Sequence, residues 1–375
     1  MPSVHPRLLV TALILLVWAV SACTPDADGG AEESDGAVVD ATMDALDSNV
    51  PPEADSTLID SSAPDAIAPA PGRDGGGEMP DPALDAGDSM VEADAGSAGP
   101  ASDQGVPDPL GRTKSYKRGI AYGFDSPRDL EALSRGVSWW YNWSPRYNEA
   151  VADVYTEYAL DWVPMSWNGN NAAEIRAFLE QHPNVRYLLG FNEPNFSDQA
   201  NLTPDRAAEL WPQYEQIAED FDLQLVGPAV NYCGGCVVVD GSPIDNDYIV
   251  WLDMFIEAYQ ARYGRAPRMD FTALHWYDFG LPEQVDRIIT RYGRPVWLTE
   301  FALWRGEDWN TPEFEQDWLV EMVALLEENE MVYRYSWFTG RRPDFPRINL
   351  LDADGQLTPL GRAYVEAPFG DAQGR

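Results

Sequence analysis

Short apolar runs recur along the chain from about residue 116 onward, and polar turns separate them. Runs of this length, rich in Val, Leu, Trp and Tyr, are typical of strands that are buried on both faces of a parallel sheet. We therefore predict eight strands, at residues 119–124, 138–142, 162–166, 187–192, 224–230, 270–277, 295–301 and 333–338.

The segments between these runs carry the signals of helices. Thr203 and Thr311 each place a capping hydroxyl before a proline, and Gly264 and Gly293 stand where helices should end. Eight alternations of strand and helix predict an α/β fold, the (β/α)8 TIM barrel. The alternative is a doubly wound open sheet, which normally has a glycine-rich phosphate loop after its first strand. Residues 119–124 lack that spacing.

Two of the predicted strands deliver a glutamate at their carboxyl ends. Glu193 follows the fourth strand, and Glu300 lies near the end of the seventh. The active site of a TIM barrel lies at this end of the strands, and strands four and seven face each other across its mouth. We therefore expect both carboxylates in one pocket. A carboxylate pair of this kind serves glycoside hydrolysis, with one acid and one nucleophile or base.

Five motifs at strand ends strengthen this interpretation. They are Trp140-Tyr141-Asn142-Trp143, Val163-Pro164-Met165-Ser166-Trp167, Gly190-Phe191-Asn192-Glu193-Pro194, Gly227-Pro228-Ala229 and His275-Trp276-Tyr277. In this order they resemble glycoside hydrolase family 128, whose members act on β-1,3-glucans and belong to a clan of retaining glycosidases. The resemblance covers roughly residues 118–366. The turn Cys233-Gly234-Gly235-Cys236 departs from the family pattern.

The resemblance implies a role for each residue of the catalytic pair. Glu193 is expected to be the general acid/base, and Glu300 the nucleophile that attacks the anomeric carbon. Asn192 is expected to hydrogen-bond the 2-hydroxyl of the sugar. Together these roles imply a retaining hydrolase of β-1,3-glucan, most readily an endo-acting one.

Further residues are candidates for sugar contacts. His275 and Tyr277 alternate on the sixth strand and share a face; Tyr277 is placed to hydrogen-bond Glu300, and His275 to shape the subsite. Trp337 ends the eighth strand, where the clan often places a platform that stacks on a sugar. For these aromatic residues the alternative is packing in the core. The remaining candidates are Asn142, Trp143, Trp167 and Asn231, and Trp304 could line the cleft or cover the rim.

Charge and cysteine content restrict the partners. The formal net charge is −37, which argues against nucleic acid and suits a neutral polysaccharide. The chain has three histidines, and only His275 lies at a plausible site, so neither a metal nor a cofactor is expected. Cys233 and Cys236 are expected to form a small structural disulfide, with a redox pair as the alternative.

The first residues carry the signals of export. Arg7 precedes an apolar run and Ser21-Ala22-Cys23, which predicts a lipoprotein signal peptide at residues 1–22 with lipidation of Cys23. The alternative is an ordinary signal peptide with an incidental cysteine. By resemblance to sorting rules, Thr24 favours the outer membrane or surface of a Gram-negative cell.

The predicted domain order follows from composition. Residues 23–112 are rich in Asp, Ala, Gly and Pro and lack aromatic residues, which predicts a disordered acidic tether. The catalytic domain is predicted at residues 113–369, followed by a tail at 370–375, and the protein is expected to be a monomer. The alternative function is a non-catalytic carbohydrate-binding surface lipoprotein built on the same barrel.

Overall fold

A computed structural model describes residues 106–107, 111, 113–304 and 309–370 of the protein. The predicted signal peptide with Cys23, almost all of the tether and the tail after residue 370 therefore lie outside the described residues. One part of the tether prediction is wrong, because residues 106–107 pair antiparallel with Thr113–Lys114. Among the described residues, no helix is both long and apolar enough to cross a bilayer.

The described residues contain eight parallel strands, one at each predicted position. The strands are β1 (Arg118–Ala121), β2 (Trp139–Tyr141), β3 (Asp161–Trp162), β4 (Tyr187–Leu189), β5 (Gln224–Val230), β6 (Phe271–Trp276), β7 (Val296–Phe301) and β8 (Val332–Trp337). Several end earlier than predicted, because the apolar run continues beyond the sheet into the loop that follows the strand.

The eight strands form a curled sheet of order β3-β2-β1-β8-β7-β6-β5-β4. Its two end strands are linked by a parallel bridge between Met165 and Leu189. The Leu189 amide donates to the Pro164 carbonyl at 3.0 Å, and the Ser166 amide donates to the Leu189 carbonyl at 3.0 Å. The sheet therefore curls into a TIM-like barrel, with all carboxyl ends of the strands at one rim.

Seven α-helices surround the sheet in the described residues. They are α1 (Pro127–Ser134), α2 (Ala172–Leu179), α3 (Pro204–Asp220), α4 (Tyr248–Tyr263), α5 (Leu281–Tyr292), α6 (Pro312–Glu328) and α7 (Pro359–Glu366). Between β2 and β3 the expected helix is replaced by two 3₁₀ turns, Glu149–Val151 and Tyr155–Tyr158.

The predicted helix boundaries are confirmed at their caps. The hydroxyls of Thr203 and Thr311 accept from the amides of Arg206 and Phe314, which satisfies donors that the helix cannot pair internally. Gly264 ends α4 with φ of +69°, and Gly293 ends α5 in the same left-handed way. These caps set where each helix begins or ends, and hence which residues are left for the loops at the rim.

The amino-terminal end of the barrel interior is filled by an arginine inside an aromatic box. The Arg334 guanidinium lies over the rings of Trp139, Tyr187 and Trp297, at 5.6, 4.8 and 5.2 Å from their centroids. It donates to Asp161 at 2.6 Å. Cation–π contacts and this ion pair close the lower end of the barrel, so the opposite rim is left for chemistry.

Candidate active site

The two glutamates reach the rim through different backbone geometry. Glu300 lies within β7 and is buried. Glu193 follows the end of β4 in a loop, where its amide donates to the Ala229 carbonyl at 2.8 Å. Its φ of +42° lies in the left-handed region, which costs a non-glycine residue about 1–3 kcal/mol. The fold therefore keeps an unfavourable backbone conformation at Glu193, and this conformation directs the side chain into the mouth of the barrel.

The carboxylates of Glu193 and Glu300 share one pocket with His275. One oxygen from each carboxylate and one nitrogen of His275 all lie within 4.8 Å of one another. In retaining glycosidases the two carboxyl groups lie about 5–5.5 Å apart, whereas inverting enzymes need about 6.5–9.5 Å to admit a water molecule. The spacing in this protein suits direct attack by a carboxylate.

Two side chains hold one oxygen of Glu193. The Asn231 amide donates to Glu193 Oε1 at 2.9 Å, and His275 Nδ1 lies 2.8 Å from the same oxygen. His275 Nε2 is in turn 2.9 Å from the Thr299 hydroxyl. Because both partners occupy Oε1, Oε2 is the oxygen left to carry a proton toward a substrate.

The charge state of His275 depends on opposing effects. Burial works against the charged imidazolium, but Glu300 and the hydrogen bond with Glu193 outweigh it and raise the pKa of His275. The ring therefore tends to carry a proton between the two carboxylates, which lowers their mutual repulsion.

Glu300 accepts three hydrogen bonds from aromatic residues. Tyr141 and Trp143 donate to Oε1 at 2.8 and 2.7 Å, and the Tyr277 hydroxyl donates to Oε2. Burial raises the pKa of Glu300, with a further rise from Glu193, while His275 and the hydrogen bonds of Tyr277 and Trp143 oppose it. The hydrogen bonds therefore favour the ionised form that a nucleophile requires.

The two tyrosines remain donors over the range in which such an enzyme works. Burial and the neighbouring carboxylates raise the pKa of both Tyr141 and Tyr277 well above its ordinary value. Their hydroxyls therefore stay protonated and keep Glu300 oriented.

Tyr141 is a site residue that the sequence prediction missed, although its motif was recognised. Trp139 and Tyr141 both pack inside the barrel, whereas Trp140 between them belongs to the outer layer. Counting by two along β2 from Trp139 leads to Tyr141 and then to Trp143. The alternation was therefore the signal that could have found it.

The prediction that Trp337 is a sugar-stacking platform is wrong. Its ring is fully buried, packs at 5.0 Å from the ring of Phe301, and its indole nitrogen donates to the Ile348 carbonyl. On β8, Arg334 and Ser336 face the barrel interior, so Trp337 must face the helices. The next residue, Phe338, belongs to the inner side and is the aromatic group at this strand end.

Phe338 forms an aromatic wall with neighbours that the sequence did nominate. Its ring centroid lies 5.8 Å from Trp143, 5.7 Å from Tyr277 and 6.2 Å from Trp304. Trp304 also stacks on Phe345 at 4.4 Å. These half-buried rings surround the Glu300 side of the pocket. Trp304 therefore lines this wall, which answers the question left open by the sequence.

The asparagine candidates lie at the strand ends with unused acceptors. Asn192 is buried, and its side-chain amide donates to Gln199 Oε1 at 3.3 Å. The side-chain amide of Asn142 donates to Asn148 Oδ1 at 2.7 Å. Among the described residues, the Oδ1 atoms of Asn142, Asn192 and Asn231 have no hydrogen-bond partner. Trp167 is half-buried, and its backbone carbonyl accepts from the backbone N–H of Asn192 at 2.9 Å. The contact of Asn192 with a sugar 2-hydroxyl remains a prediction.

Glu193, His275 and Glu300 are also the residues of the described part that come together as a possible metal-ligand set. Their facing atoms are already used by hydrogen-bond donors and acceptors, including Asn231, Tyr141 and the Thr299 hydroxyl. A metal ion would have to displace these contacts. The donor set is therefore that of an acid–base pair, and the expectation of a metal-free site stays a prediction.

The predicted disulfide between Cys233 and Cys236 is present, with the Cα atoms 5.1 Å apart. It closes a turn after β5, immediately beyond Asn231. Two short strands, Val238–Val239 and Ser242–Pro243, pair antiparallel just after it. The Cys-x-x-Cys segment is thus part of the rim next to Glu193.

A TIM-like barrel whose β4 and β7 ends bring two glutamates into one pocket defines the class of barrel glycosidases. The family model described as glycosyl hydrolase catalytic core matches residues 119–364. A solved structure described as a GH128 subgroup II endo-β-1,3-glucanase from Pseudomonas viridiflava is 46% identical, with a TM-score of 0.64, and the match covers 69% of this chain and 100% of that one. On these grounds the chain belongs to the glycosyl hydrolase catalytic-core family and to glycoside hydrolase family 128.

Other relatives extend this comparison. A GH128 subgroup II endo-β-1,3-glucanase from Sorangium cellulosum is 38% identical, with a TM-score of 0.60, over 68% of this chain and 99% of that one. A subgroup I enzyme from Amycolatopsis mediterranei, solved with laminaritriose, is 26% identical with a TM-score of 0.54, over 68% of this chain and 100% of that one. The curated relative, Alkali-sensitive linkage protein 1 of Schizosaccharomyces pombe, is 28% identical over 67% of this chain, which spans only 44% of that protein.

Proposed function

We propose that this protein is a retaining endo-β-1,3-glucanase. The observation that carries the proposal is the buried pair Glu193 and Glu300, which lie within 4.8 Å of each other at one rim of the barrel. The similarity to GH128 structures described as endo-β-1,3-glucanases, one of them with laminaritriose, supports the choice of substrate. A neutral glucan also suits a protein with a formal net charge of −37.

The first chemical step is the cleavage of the glycosidic bond. The ionised carboxylate of Glu300 attacks the anomeric carbon, and the bond from this carbon to the leaving oxygen breaks. Glu193 Oε2 gives its proton to that oxygen, so the shorter glucan leaves as an alcohol. A covalent glycosyl–Glu300 ester remains, and Glu193 is now ionised, with Asn231 and His275 bound to its other oxygen.

The second step returns the enzyme to its starting state. Glu193 takes a proton from a water molecule, whose oxygen attacks the anomeric carbon and displaces Glu300. Two inversions leave the anomeric configuration unchanged. The hydroxyls of Tyr141 and Tyr277 bind the Glu300 carboxylate as its charge returns, and this stabilises it as a leaving group.

The glucan is held by aromatic faces and amide oxygens at the rim. Trp143 and Phe338 border the Glu300 side of the pocket, where a pyranose ring can pack its C–H face. The Oδ1 atoms of Asn142 and Asn192 are buried without a hydrogen-bond partner, so the contact with the sugar 2-hydroxyl that is assigned to Asn192 requires its side chain to turn toward the sugar on binding. Asn231 and His275 are buried and act on the substrate through Glu193.

The test is a substrate panel with the full chain. Laminarin and laminarihexaose should release shorter oligosaccharides, whereas xylan and mannan should not; release from lichenan would report on linkage tolerance. Proton NMR of the first product should show the β-anomer before mutarotation. No cleavage of laminarin would refute the enzyme, and an initial α-anomer would refute the retaining mechanism.

The rival function is a carbohydrate-binding protein without catalysis. Both glutamates, the hydrogen bonds that orient them and the short distance between their oxygens favour the enzyme. A binding protein would bind laminarin and release no product from it. This outcome of the same panel would favour the rival.

We also propose that the protein is exported, lipidated at Cys23 and held as a monomer at the outer membrane or cell surface of a Gram-negative bacterium. The support is the apolar run before Ser21-Ala22-Cys23 and the acidic composition of residues 24–112. Metabolic labelling with a palmitate analogue should mark the wild type and not a Cys23→Ala variant. Equal labelling of both would reject the anchor.

A further inference from the structure

The loop that carries Glu193 is joined to the disulfide turn by several hydrogen bonds. We call residues 193–197 the acid loop and residues 231–237 the disulfide turn. The Ser197 amide donates to the Gly235 carbonyl at 2.8 Å, and the Val237 amide donates to the Asn195 carbonyl at 2.9 Å. Phe196 and Cys236 form an antiparallel bridge between them. The two segments therefore behave as one short antiparallel pair.

Asn231 connects this pair to the catalytic carboxylate. It is buried, its side-chain amide donates to Glu193 Oε1 at 2.9 Å, and its carbonyl accepts from the Asn195 side chain at 2.5 Å. Its position thus depends on the disulfide turn at one end and on the acid loop at the other. Any displacement of the turn would move the donor that orients Glu193.

Between the two cysteines, the turn has no side chain that could pack against the fold. Gly234 and Gly235 lie between the two cysteines, and glycine is the residue with the greatest backbone freedom. A Cβ added at Gly234 would meet no atom within 4 Å, so this part of the turn is open to solvent. The disulfide removes most of the conformations that such a segment could otherwise adopt.

We infer that the Cys233–Cys236 disulfide is a positioning element for the general acid: by closing the turn it holds Asn231 against Glu193. The inference rests on the proposed function, which it deepens by assigning a task to the turn that departs from the family pattern. The disulfide touches no substrate, and its effect passes through Asn231 and the acid loop.

A positioning role predicts an effect that depends on the leaving group. Proton donation by Glu193 is needed when the leaving oxygen belongs to a sugar, whereas a dinitrophenolate leaves without a proton. Reduction of the disulfide should therefore slow the first step on laminarihexaose and spare the first step on an aryl β-laminaribioside, which kcat/KM reports. A crosslink that only stabilised the fold would change both substrates alike.

The experiment compares the full chain before and after reduction with dithiothreitol, alongside the double variant Cys233→Ser/Cys236→Ser. For the reduced protein we expect kcat on laminarihexaose to fall by about tenfold, with KM nearly unchanged. On 2,4-dinitrophenyl β-laminaribioside, kcat/KM should change by less than about twofold, because it reports only the first step and that step needs no general acid for this leaving group. Reoxidation of the disulfide should restore kcat on laminarihexaose.

Two controls keep the outcome specific. Dithiothreitol should have no effect on the double variant, and Gly234→Ala, whose added methyl group meets no neighbour, should behave as the wild type. Unchanged kcat on laminarihexaose after complete reduction, or an equal fall in kcat/KM on both substrates, would overturn the inference. Inactivity of the oxidised wild type on laminarihexaose would instead refute the proposed function. The reduction of folded wild type decides the question even where the double variant does not fold.

Discussion

The two ends of the barrel interior bury charge in opposite ways. At the amino-terminal end, Arg334 is paired with Asp161 and enclosed by aromatic faces. At the carboxyl-terminal end, two carboxyl groups lie side by side, with one oxygen of Glu193 within 4.8 Å of one oxygen of Glu300. The partners of the glutamates are phenols, an indole, an amide and one imidazole.

This difference in partners distinguishes an end that serves folding stability from an end that serves chemical reactivity. An arginine beside a carboxylate neutralises it and lowers its reactivity, as at the amino-terminal end. At the carboxyl-terminal end, the phenols, the indole and the amide are neutral donors that orient a carboxylate and leave its charge available, and the two glutamates share one imidazole. The desolvated charge then destabilises the fold. Removal of a carboxylate at the carboxyl-terminal end should therefore lower catalysis and raise folding stability, whereas substitutions at the amino-terminal end should lower folding stability alone.

The largest effect is expected from Glu300→Gln. Loss of the nucleophile should lower kcat on laminarihexaose by on the order of 10⁴-fold, while laminarihexaose binding measured by calorimetry is kept. Since burial raises the pKa of Glu300, its ionised form opposes folding, and the variant should unfold at a higher temperature than wild type near neutral pH.

The pH dependence of that stability gain has a definite sign. A carboxyl group with a raised pKa in the folded state destabilises the fold above that pKa, and the penalty disappears below the unfolded pKa of about 4.3. The difference in unfolding temperature should therefore shrink as the pH falls. Residual kcat within tenfold of wild type would reject Glu300 as the nucleophile.

The next effect is expected at the opposite end, from Arg334→Ala. Asp161 is partly exposed and keeps Arg186 at 2.7 Å, so the loss comes mainly from one charged hydrogen bond and from the cation of the aromatic box, at a cost of about 2 kcal/mol. Denaturant unfolding should show this loss, whereas kcat of the folded variant at low temperature should stay within about twofold of wild type. A large fall in kcat without a fall in stability would mean that the two ends are coupled.

A smaller effect is expected from Tyr277→Phe. The hydroxyl bond favours ionised Glu300, so its removal should raise the pKa of Glu300 further and move the acid limb of the kcat/KM profile to higher pH. Loss of one such bond, worth about 1.5 kcal/mol, should lower kcat/KM about tenfold at the optimum. An acid limb that stays in place or moves to lower pH would contradict the assignment.

The smallest effect is expected from Thr203→Ala, which removes the cap of α3 just beyond the acid loop. The lost hydrogen bond should cost about 1 kcal/mol of unfolding free energy and leave kcat unchanged. This variant is a control, because it lies at the carboxyl-terminal end without contacting either glutamate. A fall in kcat would show that nearness to the acid loop matters more than direct contact.

The strands and the catalytic pair followed from local patterns in the sequence. Apolar runs that end on Glu193 and Glu300 mark the rim because buried parallel strands and polar loops differ sharply in composition. Trp337 was misassigned because composition alone does not say which face of β8 a residue occupies. Counting by two from the inward-facing Arg334 would have placed Phe338 at the site.

Other features depend on contacts between distant segments. Asn231 was nominated only weakly, because its bond to Glu193 depends on how the disulfide turn meets the acid loop. The 3₁₀ turns between β2 and β3 stand where the alternation of strand and helix predicts an α-helix. Neither result can be inferred from the local sequence of one segment.

The left-handed backbone of Glu193 has a consequence for protein engineering. At φ of +42°, glycine would adopt this backbone conformation at a lower free-energy cost than glutamate. Glu193 therefore lowers the stability of the fold and is needed only for catalysis. Directed evolution that selects for thermal stability alone would enrich variants that have lost Glu193, and these would be more stable but unable to hydrolyse glucan. A library built on this scaffold therefore has to be screened for both properties at once.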